Sequence, residues 1–164
     1  MYSRLGKALR WGALAAFCVV IFIFSGFEAD DSSSQSNRIV DTIVNFAYTD
    51  FDEMPVAEQN AVTSLLTVLV RKGAHFCEYA LLAGLAFSAF YGVRNRLLRL
   101  LSAIVFAAFY ACTDEFHQTF VPGRSGMIRD VFLDTSGATF GACVACFIAV
   151  YLTARSIIKN TEKP

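Results

Sequence analysis

The sequence is poorest in the marks of well-defined soluble chemistry. It has no G-x-S-x-G nucleophile elbow, no dedicated zinc spacing around its two histidines, no long tandem repeat and no nucleic-acid signature. A serine hydrolase of that type, a zinc module, a solenoid and a nucleic-acid binder therefore have no support. Net charge is also lacking, because 14 basic residues balance 14 acidic ones. The five cysteines are an odd number, and they sit in or beside apolar runs, so a secreted disulfide framework is not expected. Cys143 and Cys146 form a C-x-x-C, but the flanking GACVACFIAV lacks the strand and turn of a redox site, and both read as small packing residues.

What is abundant is hydrophobicity, at 55% of residues and a mean hydropathy of +0.49. That exceeds ordinary globular usage and points to a bilayer as solvent. The charges are segregated along the chain. Arg4, Lys7 and Arg10 precede an uncharged run from Trp11 to Phe27, which reads as a first membrane span, with no evident small-x-small cleavage site after it. Residues 28–70 carry eight acids against the single base Arg38 and are expected on the outside. This loop opens with the Ser-rich DDSSSQSN and holds two stretches of helical periodicity: Ile39, Val40, Ile43, Val44, Ala47, then Val56, Leu65, Leu66, Leu69 after Pro55. Both stretches are expected as amphipathic helices that lie on the outer membrane face or cap the bundle.

Spans two, three and four are expected at about Ala74–Val93, Leu97–Phe116 and Val131–Ala154. Arg94, Arg96 and Arg99 mark the cytoplasmic turn between the first two, and FVPGRSGMIRD the outer turn before the last. The fold class is thus all-α, an integral membrane four-helix bundle with both termini inside. Its expected division is 1–27 for the N-terminal stub and first span, 28–70 for the outer loop, 71–154 for a three-span core and 155–164 for a basic tail. The bacterial-type cytoplasmic (inner) membrane is the expected location, with a multi-pass topology. Gly84, Gly137 and Gly141 supply small surfaces for close helix approach.

Polar residues interrupt this apolar pattern at three places. RKGAHFCEYALLAG puts His75, Glu78 and Tyr79 at i, i+3 and i+4 on one helical face. YACTDEFHQTF repeats that spacing with Asp114, His117 and Gln118, and adds Glu115. IRDVFLDTSG sets Asp130 and Asp134 one turn apart. A carboxylate at the centre of a lipid-facing helix costs roughly 3 kcal/mol even on the lenient insertion scale, so these groups must be paired, solvated or ligand-bound. The topology sends all three clusters to the outer ends of their helices, where they can meet in one polar pocket bordered by Arg71, Lys72, Arg124 and Arg129.

RKGAHFCEYALLAG and YACTDEFHQTFVPGRSGMIRDVFLDTSGATFG closely resemble the VanZ-like membrane protein family, over Arg71 to Gly141. A further echo is FS at Phe24-Ser25 followed by SNRIV; the family's usual FSSQ reads FSGF here. The resemblance implies Arg71, Lys72, His75, Glu78, Tyr79, Asp114, Glu115, His117, Gln118, Arg124, Asp130 and Asp134 as motif residues. It also implies a place in the cell envelope and, through the teicoplanin-resistance factor that names the family, a link to antibiotic resistance.

Two function classes stay open on these residues. In the first, the protein is an enzyme acting on a lipid-linked phosphate or envelope precursor: Arg71 and Arg124 hold the anionic headgroup with Lys72, Tyr79 and Gln118, and His75 or His117 is the base. Glu78, Asp114 and Glu115 are the accompanying acid/base groups, and Asp130 and Asp134 orient the bases or hold a cation. In the second, the same pocket captures an envelope lipid, glycopeptide or lipopeptide without chemistry, as a resistance factor. A purely structural polar network is a third reading, and four spans leave little room for a transporter. The carboxylates and imidazoles could accept a divalent cation, which the spacing does not specify. Membrane lipids are the expected partners; oligomeric state is not legible.

Overall fold

The computed structural model describes residues 4–27 and 29–161, with 29–35 described as backbone only. The expectations attached to Glu28, to the side chains of Asp30, Asp31 and the serines that follow, and to Lys163 fall outside the described residues. The described chain is all helix: α1 Arg4–Ser25, α2 Ala29–Ala47, α3 Val56–Ala89, α4 Arg96–Gln118 and α5 Ile128–Thr161, with one-turn 3-10 helices at Phe51–Glu53 and Phe90–Gly92. Four of these, α2 excepted, are long and apolar enough to cross a membrane.

The boundaries follow local chemistry. Asn95 is the N-cap of α4 and its side chain accepts from the Leu98 amide at 3.0 Å. Pro55 stands just before α3. Arg99 reaches back from α4 so that its Nε donates to the Phe87 carbonyl, one of the carbonyls left open at the end of α3. Between α4 and α5 the chain turns through Gly123, whose φ of 73° suits glycine. The carboxylate of Glu115 accepts from the Met127 amide at 2.7 Å and so pins this loop to the start of α5.

The structure departs from the sequence reading in three elements: α2 is already helix through the Ser-rich stretch, α5 continues past Ala154 to Thr161, and α3 is longer than expected. An amphipathic loop helix after Pro55 and a span from Ala74 are a single 34-residue helix, about 51 Å long. No proline falls between Val56 and Ala89, and Gly73 alone does not stop a helix held by its neighbours. The first turns of α3 therefore project beyond a hydrocarbon layer of about 30 Å. α2 packs on α3 and buries Ser36, Val40 and Val44, one residue per turn.

α3 is the central element, in contact with every other helix. Its partnership with α5 sets the geometry. The two run parallel, and Gly137 and Gly141 lie so close to α3 that an added Cβ would collide with the backbone of Phe76 and Ala80 respectively. α4 contributes a stripe of Ala103, Ala107 and Ala111, and α5 contributes Ala138 and Ala142, all fully buried. Bulky residues such as Phe109, Phe116, Phe132 and Phe147 point outward instead. This is membrane packing: small residues inside bring backbones together, and large ones meet lipid. α1 docks on α3 and α4 through Trp11 against Phe90 and through Tyr110, whose hydroxyl donates to the Cys18 carbonyl at 2.6 Å. All five cysteines are free.

Two contrasts test this packing by melting purified protein in detergent. Gly141→Ala should lower stability by about 1–3 kcal/mol, because the new methyl meets backbone that cannot rotate away. Gly84→Ala should be nearly neutral, since its methyl would find only the Gly141 carbonyl at 3.8 Å. Glu115→Ala leaves the Met127 amide without its acceptor and should cost about 1–3 kcal/mol, whereas Glu115→Gln keeps an acceptor oxygen and should lose clearly less.

Candidate functional site

At the α2 end of the bundle lies a cavity of about 150 Å³. Its polar wall comes from α3 (Arg71, His75, Glu78), from α4 (Asp114) and from the loop after α4 (Arg124). Its apolar wall comes from Ile21, Phe24 and Phe27 at the end of α1, from Ile39 of α2 and from Val70 of α3. Ser25 and Ser36 complete it. The volume matches a small ring or a phosphate with a short stem.

The two arginines are not neutralised by direct pairing. Among the described residues neither Arg71 nor Arg124 has a carboxylate within ion-pair distance. Arg124 Nε is buried with no hydrogen-bond partner. Burial, and then the neighbouring charge of Arg71, push the Arg124 pKa down, while Asp114, Glu115 and Glu78 oppose that shift. An arginine stays charged through such a change, so two guanidinium groups stand near each other at this cavity.

Behind the cavity wall a second polar layer joins α3 to α5. Lys72 forms an ion pair with Asp130. One turn further in, His75 Nδ1 lies 3.6 Å from Asp134 Oδ1, and Asp134 is 0% exposed. That separation is long for a hydrogen bond, and it places Nδ1 on the side of the carboxylate. Asp114 is 4% exposed and accepts from Gln118 Nε2 at 3.1 Å through one oxygen.

The remaining sequence-predicted residues sit apart from the cavity. Tyr79 is fully buried in the bundle core. Glu115 is committed through one oxygen to the Met127 amide. His117 turns toward α1, where its ring lies 4.4 Å from that of Phe22. Arg129 is exposed. Conversely, Ser25, Ser36, Phe24 and Phe27 line the cavity and were not singled out as site residues; the FS and SNRIV strings were the available signal. Among the described residues, no group of three His, Cys, Asp or Glu side chains is arranged to hold a metal ion.

Hydrogen-bond accounting sets this end apart. Among the described residues, eight buried side-chain atoms have no hydrogen-bond partner in the protein, on Ser25, His75, Tyr79, Glu115, His117, Arg124 and Asp134. All seven residues belong to this end of the bundle. Buried polar groups are rarely left without a partner, and these lie together at one end of the bundle.

A family model described as VanZ/LLP1 matches residues 11–150. Neither the curated proteins nor the solved structures yielded a match. With four helices long and apolar enough to cross a membrane and a family match that runs from the first span into the last, this multi-pass membrane protein belongs to the VanZ/LLP1 family.

Proposed function

We propose that the protein takes the phosphate end of a lipid-linked envelope precursor into the Arg71/Arg124 cavity, from the outer leaflet of a bacterial cytoplasmic membrane, and acts on it there. The observation that carries this reading is the pair of guanidinium groups at one small cavity without a carboxylate partner. Arginine forks match phosphate oxygens in two-point contact, and a shared anion would relieve the repulsion between Arg71 and Arg124. The mixed wall supports a lipid source. Ile21, Phe24 and Ile39 suit the start of an apolar chain, while the arginines suit its headgroup.

His75 is the base in this scheme. Asp134 orients the imidazole through Nδ1, and Nε2 accepts a proton from a group bound beside the phosphate. Glu78 and Asp114 stand at the same wall, placed to receive a cationic or hydroxyl part of the headgroup. Lys72 and Asp130 hold α3 and α5 in register and are positioning residues.

A second reading, capture of the headgroup without chemistry, is favoured by one feature: the His75–Asp134 separation of 3.6 Å exceeds that of a formed hydrogen bond. One experiment separates the two. Purified protein in detergent is titrated with a polyprenyl phosphate, and the lipid is then examined for conversion. Arg71→Gln/Arg124→Gln should weaken binding roughly tenfold or more, the loss of two charge-assisted contacts. His75→Ala should keep binding and lose conversion. Binding without conversion by the unsubstituted protein supports capture alone, and failure to bind any lipid-linked phosphate overturns both readings.

A further inference from the structure

The opposite end of the bundle, where α3 turns into α4, holds a second and much larger cavity of about 1100 Å³. That is at or above the upper end of ordinary ligand clefts, roughly 300–1,000 Å³. Five bases line it: Lys7 and Arg10 from α1, Arg94 from the turn, Arg96 and Arg99 from α4. No Asp or Glu is among the described residues that line it. Its floor is apolar, built from Gly84 and Phe87 of α3 and from Ala145 and Ala149 of α5.

Basic residues near span ends are ordinary on the cytoplasmic side. Their convergence on one concave volume is not, because separate snorkelling side chains spread toward the headgroups around the bundle. Here they are held in place. Arg99 is 9% exposed, its Nε donates to the Phe87 carbonyl, and its guanidinium lies 3.9 Å from the Phe87 ring centroid and 5.2 Å from that of Tyr91. Arg10 lies 5.2 Å from the same Tyr91 centroid and donates to the Ser88 carbonyl at 3.5 Å. Arg96 donates to the Thr153 hydroxyl of α5 at 3.1 Å. These contacts hold Arg99, Arg10 and Arg96 in place at the cavity.

We propose that this cavity binds the headgroup of an anionic phospholipid carrying two phosphates, on the side of the membrane opposite the Arg71/Arg124 site. Lys7, Arg94 and Arg96 on one volume already exceed the single negative charge of one phosphodiester. The source is a lipid and not a free diphosphate because Ile148 and Leu152, which also line the cavity, are half-exposed on the outer flank of α5. They open a path from the headgroup to the acyl layer. Basic pockets between membrane helices on the cytoplasmic side recognise lipids of this kind.

The test is native mass spectrometry of the full chain, released from detergent with equal amounts of diphosphatidylglycerol, phosphatidylglycerol and phosphatidylcholine. The protein should retain diphosphatidylglycerol roughly tenfold over phosphatidylcholine, and clearly over phosphatidylglycerol. Lys7→Gln/Arg94→Gln/Arg96→Gln, which spares the buried Arg99, should lose that preference. Arg71→Gln/Arg124→Gln should keep it, and its loss there would assign the lipid to the other cavity. No preference in the unsubstituted protein, or one unchanged in the triple variant, overturns the proposal. Independently of any variant, diphosphatidylglycerol should raise the melting temperature more than phosphatidylglycerol does, and equal shifts would overturn the two-phosphate assignment.

Discussion

The parallel contact between α3 and α5 is the constraint on which the rest depends. It is set where two glycines of α5 lie against backbone of α3: Gly137 at Phe76 and Gly141 at Ala80. In the same register, Lys72 meets Asp130 and His75 faces Asp134. The matched positions differ by 58 to 61 along this stretch, as expected of two parallel helices crossing at a shallow angle. A slip of one turn would set Leu133 against Phe76, or Ala145 against Ala80, where a glycine now sits, and would separate both polar pairs together. Apolar packing deep in the bundle thus determines which carboxylate stands behind His75.

The same packing explains how a membrane helix tolerates such residues. Alanine and glycine in the core bring the backbones close, so a polar side chain at the helix end is shielded by neighbours and not by lipid. Asp114, Glu115 and Asp134 are all nearly or completely buried in protein. Asp114 accepts from the Gln118 side-chain amide, Glu115 accepts from the Met127 backbone amide, and Asp134 faces His75 across the bundle, which offsets part of their insertion cost. α2 and the long extension of α3 close that end from above, and Ser36 and Ile39 of α2 reach the cavity itself.

Much of this was legible in the sequence, for identifiable reasons. Span number follows from long apolar runs, and the shared faces of His75 with Glu78 and of Asp114 with Gln118 follow from helical spacing alone. Helix rotation does not follow from spacing, and rotation decides neighbours. It turns His117 toward Phe22 of α1 and buries Tyr79, while Arg124 reaches the cavity from a loop. The extent of α3 was hidden because polar residues before Ala74 resemble a loop when hydropathy is the guide, although nothing in 56–73 breaks a helix. Ser25 does not stand out in the sequence, because the string around it, FSGF, differs from the pattern it resembles.

The unsatisfied polar atoms bear on whether the cluster is a site or only a lock for the bundle. A buried network whose role is to fix helix register gains most when each donor meets an acceptor within it, since every unmet group costs on the order of 1–3 kcal/mol. Lys72 with Asp130 and Gln118 with Asp114 behave that way. Ser25 Oγ, His75 Nδ1, Arg124 Nε and both oxygens of Asp134 do not. Three of these four residues line the Arg71/Arg124 cavity, and Asp134 stands directly behind His75. Tyr79 Oη, Glu115 Oε1 and His117 Nδ1 are also unmet and sit apart from the cavity, so among the described residues the unmet groups extend over this whole end of the bundle, while the bonds that are made hold α3 to α5 and anchor the loop.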